Sequence, residues 1–325
     1  MKFLFIRFSS IGDVTQAVSI AAHIKNHFPH AEIHVLTKQE FAFLFDQNPA
    51  VHKVWTLQKT DGFKQILQLS QILSKENFSH LYDSHNNLRS NIFYFLVRAD
   101  HKLQRSLFRI KRFLLLQFRI NLFEKPFSGQ RDLLKPLEKW GIPFQLPVAP
   151  QIFLKQEAIH EANQILKAAH IEKFYALVPS AAYELKRWPL SHFEKLIELN
   201  PDKKFVVLAG PTDHFTKPLS RFPNVLNLTG QTSLMTSAAL ISKSEQVIAN
   251  DTGLLHFSEQ LGKPTIALMG PAPFGFPSRP STVILQKDLA CRPCSKHGQG
   301  PCRNSQYQAC LTTITPQEVQ KYLIS

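Results

Sequence analysis

Short apolar runs alternate with segments of helical periodicity along the chain, and this alternation predicts a parallel α/β architecture. In the first half, predicted strands lie at 3–8, 32–37 and 80–84, and a helix follows the first of them through about Phe28. The second half predicts strands at 174–179, 204–210, 224–230, 246–250, 264–270 and 281–286. The pattern therefore predicts two doubly wound parallel-sheet halves, with a ligand cleft between them at the carboxyl ends of the strands.

The proline-rich stretch after the first half marks a stiff connection between two domains, which we expect to cover 1–155 and 156–325. Two capping-box patterns predict helix starts in the second domain. One pairs Ser191 with Glu194, and the other pairs Thr315 with Glu318. The Thr315 pattern begins the final helix, and the sequence leaves open whether this helix crosses back to the first domain.

The chain contains no apolar run approaching the roughly 20 residues that span a bilayer. Its first apolar run is interrupted by Arg7, which is too early for a secretion signal. The sequence therefore predicts a cytoplasmic protein.

The net charge is +14. Much of the excess positive charge lies in 98–131, which contains nine Lys and Arg residues and only two acidic residues, Asp100 and Glu124. Five phenylalanines are interleaved with these cations: Phe108, Phe113, Phe118, Phe123 and Phe127. Such a segment suits an anionic membrane face, an acidic acceptor or nucleic acid. A pair of helices with an apolar stripe and a solvated basic face explains it equally well.

All four cysteines fall within twenty residues, as Cys291, Cys294, Cys302 and Cys310. Their spacing is compatible with a tetrahedral thiolate site for zinc, or less readily for iron–sulfur. Only one close pair is present, so free thiols in a packed loop are the alternative, and disulfides are disfavoured in a reducing compartment.

An apolar strand at 247–250 runs into Asp251, Thr252 and Gly253, after which a helix begins that carries His256. The backbone N–H groups of such a helix start, with the positive end of the helix dipole, form an anion site. The alternative is an ordinary strand–helix unit in which Asp251 is only an N-cap.

The turn after the first strand has a similar layout, with Ser10, Gly12 and Asp13 entering a helix. A carboxylate there can act as general base toward an acceptor hydroxyl. The alternative is a carboxylate that the helix N-terminus simply stabilises. The three-glycine dinucleotide fingerprint is missing.

Polar residues cluster after two further strands. Asp83, His85 and Arg89 lie where a polyhydroxyl or phosphorylated acceptor could rest, or they form a plain polar turn. Lys186 and Arg187 follow another strand end, where two cations could hold a diphosphate. Neither an Asp-x-Asp pair nor a P-loop is present, which argues against a metal-dependent sugar-nucleotide site.

Five motifs in this order resemble glycosyltransferase family 9, the lipopolysaccharide heptosyltransferases: RFSSIGDV at 7–14, DSHNNLRS at 83–90, PSAAYELKRWP at 179–189, GQTSL at 230–234 and NDTGLLH at 250–256. The cysteine cluster also looks like one carried by many members. The resemblance implies a GT-B fold, with acceptor on the N-terminal side and nucleotide sugar on the C-terminal side. It also implies inversion at the anomeric carbon without a metal or other cofactor.

Carried onto this sequence, the resemblance implies that Asp13 is the general base. It implies a donor side made of Ser180, Lys186, Arg187, Asp213, Thr232, Leu234, Asp251, Thr252, Gly253, Leu254 and His256. Within that set Asp251 orients its loop, Thr232 and Leu234 line the nucleoside pocket, and Asp213 reaches the ribose. The acceptor side comprises Ser10, Gly12, Asp83, His85 and Arg89.

The donor so implied is ADP-L-glycero-D-manno-heptose and the acceptor a lipid A–Kdo core at the inner-membrane surface. The chain departs from the family at Ser19, where a proline is usual, and at Ala181 and Ala182, which replace hydroxyl or glycine residues. Asp213 is a less secure match, since spacing varies there. Alternatives are a member with another donor or acceptor, or a non-catalytic basic protein that binds nucleic acid or anionic lipid. No nucleic-acid module is recognisable, so nucleic acid is not an expected partner.

Overall fold

The computed structural model describes residues 1–125 and 127–324 and divides into two compact units. Unit 1 comprises Met1–Phe108 and Gly129–Phe153, and unit 2 comprises Arg109–Ser128 and Leu154–Ser325. The observed division after Phe153 lies close to the one expected at 155, but the middle of the basic segment belongs to unit 2. Pro126 and Ser325, which the sequence analysis included in its ranges, lie outside the described residues.

Unit 1 is built on a parallel sheet of β1 Lys2–Ile6, β2 Glu32–Lys38, β3 Lys53–Leu57, β4 Phe78–Asp83 and β5 Ala99–Gln104. Among the described residues the strand order is β3-β2-β1-β4-β5. The central strand β1 is buried from Phe3 to Ile6, as expected for a strand covered on both faces. The three strands predicted in this half are confirmed with small shifts of their ends, whereas β3 and β5 were missed.

Unit 2 is built on β6 Tyr175–Val178, β7 Phe205–Val207, β8 Val225–Asn227, β9 Gln246–Asn250, β10 Thr265–Leu268 and β11 Thr282–Leu285. In the described part of the chain these strands form a second parallel sheet, in the order β11-β10-β9-β6-β7-β8. All six predicted strands of this half are confirmed.

The helices are α1 Ile11–Ala17, α2 Ser19–His27, α3 Phe63–Ser74, α4 Leu88–Leu96, α5 Arg109–Phe118, α6 Gly129–Leu134, α7 Gln156–Ala168, α8 Leu190–Glu198, α9 Leu234–Lys243, α10 Gly253–Gln260, α11 Ala309–Thr312 and α12 Pro316–Gln320. Short 3₁₀ helices lie at Gln39–Leu44, Lys135–Trp140, Glu184–Lys186 and His214–Arg221. Within the described residues, no helix is both long and apolar enough to pass through a bilayer.

One of the two expected capping boxes is confirmed in its N-cap half alone, and the Glu318 carboxylate lies 2.7 Å from Lys287 Nζ. Thr315 caps α12, and its Oγ1 accepts a hydrogen bond from the Glu318 amide at 3.2 Å. The other expectation was wrong: α8 begins directly after Pro189, which is its N-cap. Ser191 therefore lies inside the first turn, where it cannot act as the cap.

The core of unit 2 lies on both faces of its sheet, because successive side chains of a strand point to opposite faces. Ala176 and Val178 belong to one buried cluster, whereas Tyr175 and Leu177 belong to the other. The second cluster includes Val319 of α12, and α12 packs on α8. The final helix, which the sequence left free to cross back, thus packs within unit 2.

Candidate active site

The turn from β1 into α1 carries Asp13 as the third helical residue. Its Oδ2 accepts hydrogen bonds from the Ser10 amide at 3.1 Å and the Ser10 hydroxyl at 2.7 Å. Its Oδ1 lies 2.8 Å from a guanidinium nitrogen of Arg7, whose side chain is buried, whereas 44% of the Asp13 side chain is exposed. Ser10 is exposed and Gly12 is buried. The turn therefore presents an oriented, accessible carboxylate.

The charge of Asp13 is fixed by these neighbours. Partial burial raises the pKa of the Asp13 carboxyl, but the Arg7 charge and the Ser10 hydrogen bonds outweigh it and lower the pKa to about 2. Asp13 is consequently ionised at neutral pH. It is ready to accept a proton, although only as a weak base.

Two buried arginines support this turn, and neither was singled out from the sequence. Arg7 also donates to the carbonyl of Ser84, after β4. Arg105 pairs with Asp132 of α6, and its positive charge contributes to the lowered pKa of Asp13. Arg7 could have been identified as a site residue, because it is a cation at the end of an otherwise apolar strand. Nothing in the sequence pattern indicates Arg105.

Asp83 lies at the end of β4 and is wholly buried. Its Oδ1 accepts from the amides of His85 and Asn86, both at 2.9 Å. Its Oδ2 accepts from the Ser90 hydroxyl and the Gln104 amide, both at 2.9 Å. With its oxygens so used, Asp83 orders the turn rather than offering a carboxylate to a ligand.

His85 connects this turn to the β1 turn, because its Nδ1 accepts a hydrogen bond from the Phe8 amide at 3.0 Å. Burial, followed by the Arg7 charge, lowers the pKa of His85 to about 4, so the ring is neutral at pH 7. Arg89 is partly exposed in the first turn of α4. The acceptor-side residues expected from the sequence thus lie at the carboxyl ends of two adjacent strands of unit 1.

In unit 2, the turn from β9 leads into α10 with Thr252 as N-cap and Gly253 as the first helical residue. The Thr252 side chain makes no capping hydrogen bond, which leaves the helix start available to an anion. Leu254 is half-buried, and His256 is buried with its Nδ1 3.8 Å from Glu259 Oε2.

Asp251 forms an ion pair with Lys186, with Nζ 2.6 Å from Oδ2 and both side chains largely buried. The pair joins the loop after β6 to the loop after β9. Gly275 packs against it, since a Cβ added there would lie 3.3 Å from Asp251 Oδ1. An ammonium group has three N–H donors, so Lys186 retains capacity for a second anionic partner.

Asn250, the last residue of β9, is a site residue that sequence reasoning missed. Its side chain is wholly buried; Oδ1 accepts from the Trp188 amide at 3.0 Å and Nδ2 donates to the Pro179 carbonyl at 2.7 Å. It therefore holds both ends of the loop that carries Ser180 and Lys186. The sequence does contain an indication of this role, since Asn250 is a polar residue at the end of an apolar strand, directly before Asp251.

Arg187 and Asp213 lie close to each other. The Arg187 guanidinium is 3.6 Å from Asp213 Oδ1, packs 4.5 Å from the centroid of the Phe215 ring and donates to the Ala181 carbonyl at 3.0 Å. Asp213 also accepts from the Gly210 amide at 2.9 Å. Both residues are thus partly engaged by their own unit.

The turn before α9 places Thr232 and Leu234 after β8. Thr232 Oγ1 is 2.8 Å from Ser237 Oγ, and Leu234 is 36% exposed as the first helical residue. Gly230 has φ of +71°, and a Cβ added there would meet Pro211 Cα at 2.9 Å. The turns after β7 and β8 therefore pack against each other at the carboxyl edge of the sheet.

The basic segment does not form a helix pair. Within the described residues it contributes β5, α5 and the start of α6, which carries its last cation. Phe113 and Phe118 of α5 are 56% and 61% exposed, whereas Phe123 and Phe127 pack edge to face with Phe274 of unit 2. The phenylalanine series therefore divides between a surface face and a packed cluster. The four cysteines are free thiols that line one small cavity of unit 2.

Comparison with known proteins agrees with this arrangement. The model of "Glycosyltransferase family 9 (heptosyltransferase)" matches residues 66–306. Lipooligosaccharide heptosyltransferase 2 of Haemophilus ducreyi is 27% identical over 351 residues, which cover 99% of this chain and 98% of the relative.

Two solved structures share the fold. The glycosyl transferase family 9 protein from Veillonella parvula DSM 2008 aligns with a TM-score of 0.81 at 18% identity, over 99% of this chain and 95% of that one. E. coli ADP-heptose lps heptosyltransferase II aligns with a TM-score of 0.72 at 20% identity, over 99% and 97%. The fold class is GT-B, with two parallel-sheet α/β domains, and since the family model spans most of the chain, the protein belongs to glycosyltransferase family 9 and is a glycosyltransferase.

Proposed function

We propose that this protein transfers heptose from ADP-L-glycero-D-manno-heptose to the inner core of lipopolysaccharide, with inversion and with Asp13 as general base. The observation that carries the proposal is the accessible Asp13 carboxylate, held ionised by Arg7 and Ser10. The relative from Haemophilus ducreyi is named for lipooligosaccharide heptosyl transfer, which supports the sugar and the class of acceptor.

The donor diphosphate binds in unit 2, in this proposal, at the start of α10. Thr252 and Gly253 supply the helix end, Lys186 turns its remaining N–H donors to the phosphate oxygens, and Arg187 and His256 add donors. Ser180 offers a hydroxyl from the loop that carries Lys186, and Leu254, the second residue of α10, lines the same site. Negative charge grows on the leaving diphosphate in the transition state, so prearranged cations stabilise that state more than the ground state.

The nucleoside lies toward the turns after β7 and β8. Thr232 and Leu234 line its pocket, and Asp213 accepts hydrogen bonds from the ribose hydroxyls. Because Asp213 lies beside Arg187, one ion pair would contact both ends of the nucleoside diphosphate.

The acceptor hydroxyl binds at Asp13. Its oxygen attacks the anomeric carbon on the face opposite the diphosphate, the bond from that carbon to the diphosphate oxygen breaks, and the proton passes to Asp13. A carboxylate with a pKa of about 2 is a weak base toward a free hydroxyl. Proton transfer therefore becomes favourable only as the new C–O bond forms and acidifies that hydroxyl.

The remaining acceptor-side residues shape this site. Ser10 and Gly12 form the turn that orients Asp13, and Asp83 orders the neighbouring turn. His85 and Arg89 contact acceptor hydroxyl or phosphate groups. We assign Asp83 a positioning role because its carboxylate oxygens are already hydrogen-bonded within unit 1.

We propose that catalysis needs no metal, because Lys186, Arg187 and the α10 helix end together can neutralise a diphosphate. The exposed Arg109, Phe113 and Phe118 side chains of α5 are proposed to face the anionic acceptor at the inner membrane, which makes the protein a cytoplasmic, peripheral enzyme.

The decisive experiment compares Asp13→Asn with Asp100→Asn, an exposed carboxylate of the same unit. We expect Asp13→Asn to lose transfer by about a hundredfold or more, while ADP affinity stays at the wild-type value. Asp100→Asn should retain both. Full turnover by Asp13→Asn would remove Asp13 from the mechanism.

A second experiment addresses the donor. Thermal unfolding is recorded with ADP-heptose and with other nucleotide sugars, because a ligand that binds the folded state raises the midpoint. We expect ADP-heptose to protect the wild type and to protect Lys186→Ala much less. Protection by a different nucleotide sugar alone would replace the donor while leaving the reaction class intact.

A further inference from the structure

Glu259 is a wholly buried carboxylate near the end of α10. Its Oε1 accepts hydrogen bonds from the amides of Ser278 at 2.7 Å and Arg279 at 2.8 Å, and from the Thr282 hydroxyl at 3.4 Å. Its Oε2 is buried and has no hydrogen-bond partner within the described residues. One oxygen of this carboxylate is therefore fully used to hold the loop after β10, whereas the other is not.

His256 lies next to that second oxygen, because residues three apart on a helix are neighbours. Its Nδ1 is 3.8 Å from Glu259 Oε2, and the two side chains are 6% and 0% exposed. A charge-assisted hydrogen bond is about 2.8 Å long, so a movement of about one ångström would close the contact. A buried oxygen without a partner costs free energy, and an N–H on His256 Nδ1 would remove that cost.

We propose that Glu259 is a positioning residue for the donor, which keeps His256 doubly protonated, as an imidazolium ion, while the diphosphate is bound. This inference rests on the proposed function, because it takes His256 to be a ligand of the donor diphosphate. It goes beyond that function by assigning His256 a charge in the complex and by naming Glu259 as its cause.

The reason lies in the two nitrogens of the imidazole ring. A neutral ring carries one N–H group, so it can donate to Glu259 or to a phosphate oxygen, but not to both. The imidazolium ion carries two N–H groups and donates to both acceptors at once. A charge-assisted hydrogen bond is about twice as strong as a neutral one. Because negative charge grows on the leaving diphosphate, the charged ring would stabilise the transition state most.

Few ionisable side chains occur on the elements around His256. Of the described elements that pack on α10, β9 and β10 contain none, and α9 contains only its last residue, Lys243. Lys263 lies in the turn after α10. Helices that follow parallel strands run back along the sheet, so both lysines lie at the far edge, whereas His256 is in the first turn of α10. Neither lysine therefore opposes a positive charge on His256 at short range.

The remaining charged groups also suit a cation at His256. Arg279 is the charged residue of the loop after β10; burial lowers the pKa of its guanidinium, and the Glu259 charge opposes that shift. Lys186 and Asp251 lie beside the start of α10, and they form their own ion pair at 2.6 Å. Because Lys186 already uses the Asp251 charge, Glu259 is the carboxylate placed to pair with His256.

The test is the pH dependence of ADP binding to the full-length protein, measured by calorimetry. Glu259→Gln keeps a carbonyl oxygen for the loop amides but removes the charge, and Glu157→Gln in α7 is the exposed control. At about pH 7, Glu259→Gln should bind ADP about three- to tenfold more weakly than the wild type. As the pH rises to about 9, the wild type should lose affinity and converge on this variant, because His256 gives up its second proton.

The control should follow the wild type throughout. An affinity of Glu259→Gln that equals the wild-type value at pH 7, or that depends on pH in the same way, would refute the proposal.

A double-mutant cycle separates an action through His256 from a structural role of Glu259 in holding the loop. His256→Asn removes the group on which Glu259 is proposed to act. In that background Glu259→Gln should change ADP affinity by less than about twofold. An effect as large as in the wild-type background would show that Glu259 acts on binding without His256, and would overturn the inference.

Proton uptake by the wild type covers the case in which Glu259→Gln does not fold. ADP binding is measured near pH 8 in buffers of different ionisation enthalpy, because the difference in binding heat reports the protons taken up. We expect uptake by the wild type and its loss in His256→Asn. Binding without uptake would overturn the role of Glu259, whereas wild-type protein that does not bind ADP at all would instead refute the donor assignment.

Discussion

Asn250→Ala tests how the donor side of unit 2 is built. The Asn250 side chain is wholly buried, and it joins β9 to both flanks of the Lys186 loop through the Trp188 amide and the Pro179 carbonyl. Alanine removes both bonds and leaves a buried donor and a buried acceptor without their partner.

Each of the two unpaired buried groups costs about 1–3 kcal/mol, so the free energy of unfolding should fall by about 2–6 kcal/mol. A water molecule that fills the vacated space and bonds both groups would bring the loss to the lower end. For a unit of this size, about 2–4 °C per kcal/mol gives a fall in Tm of roughly 4–24 °C.

The assay is thermal unfolding of the full chain, with Asn163→Ala as control because Asn163 is an exposed residue of α7. The control should change the free energy of unfolding by no more than about 0.5 kcal/mol. We also expect Asn250→Ala to bind ADP more weakly, since its loop is no longer held. A Tm within about a degree of the wild type would refute the claim that this side chain anchors the site.

Four further outcomes follow from the structure. Because the pKa of Asp13 is lowered from 3.8 to about 2 in the folded protein, its negative charge stabilises the fold above pH 3.8. Asp13→Asn should therefore lower the free energy of unfolding by about 1 kcal/mol at pH 7, after allowance for the exposure of Asp13. Urea unfolding of both proteins should show this difference in free energy shrinking as the pH falls toward 3. Arg7→Met should raise the pKa of Asp13 and so shift the acid limb of the pH profile of kcat/KM to higher pH. An acid limb at the wild-type pH would contradict the ion pair between Arg7 and Asp13. Gly230→Ala should lower Tm, because φ is +71° and Pro211 is 2.9 Å from the added Cβ, and an unchanged Tm would mean that this turn yields freely. Val319→Ala should lower the free energy of unfolding, measured with denaturant, by about 1–3 kcal/mol, because α12 contributes Val319 to the unit 2 core. A loss below about 0.5 kcal/mol would show that α12 is not part of that core.

The sequence predicted the three inner strands of unit 1, because those strands are apolar on both faces, and in unit 2 it also predicted the edge strands β8 and β11. It missed β3 and β5, which are the edge strands of unit 1. Lys53 begins β3 and the ADHKLQ run forms β5, so neither carries a continuous apolar signal. Their strand character comes from pairing with β2 and β4, which is a tertiary effect.

At the site, the sequence located the turns but not the partners within them. Asp83 was grouped with ligand-binding residues because its neighbours are polar, yet those neighbours themselves satisfy its oxygens. Lys186 and Asp251 were both identified, but their ion pair joins residues far apart in the chain, which periodicity cannot reveal. Asn250 was missed because its partners, Trp188 and Pro179, are also far from it in the chain.

The site charges are held by opposite charges of the same unit, and this determines how ligands can use them. Asp13 is paired with Arg7, and Lys186 with Asp251. If such a pair had to break on binding, each ligand contact would be offset by an uncompensated buried charge, at about 3–5 kcal/mol. Lys186 avoids this, since an ammonium group can keep Asp251 on one N–H and donate the others to phosphate. In the proposed mechanism Asp13 likewise keeps Arg7 on one oxygen while the other receives the proton, so neither ion pair has to separate during turnover.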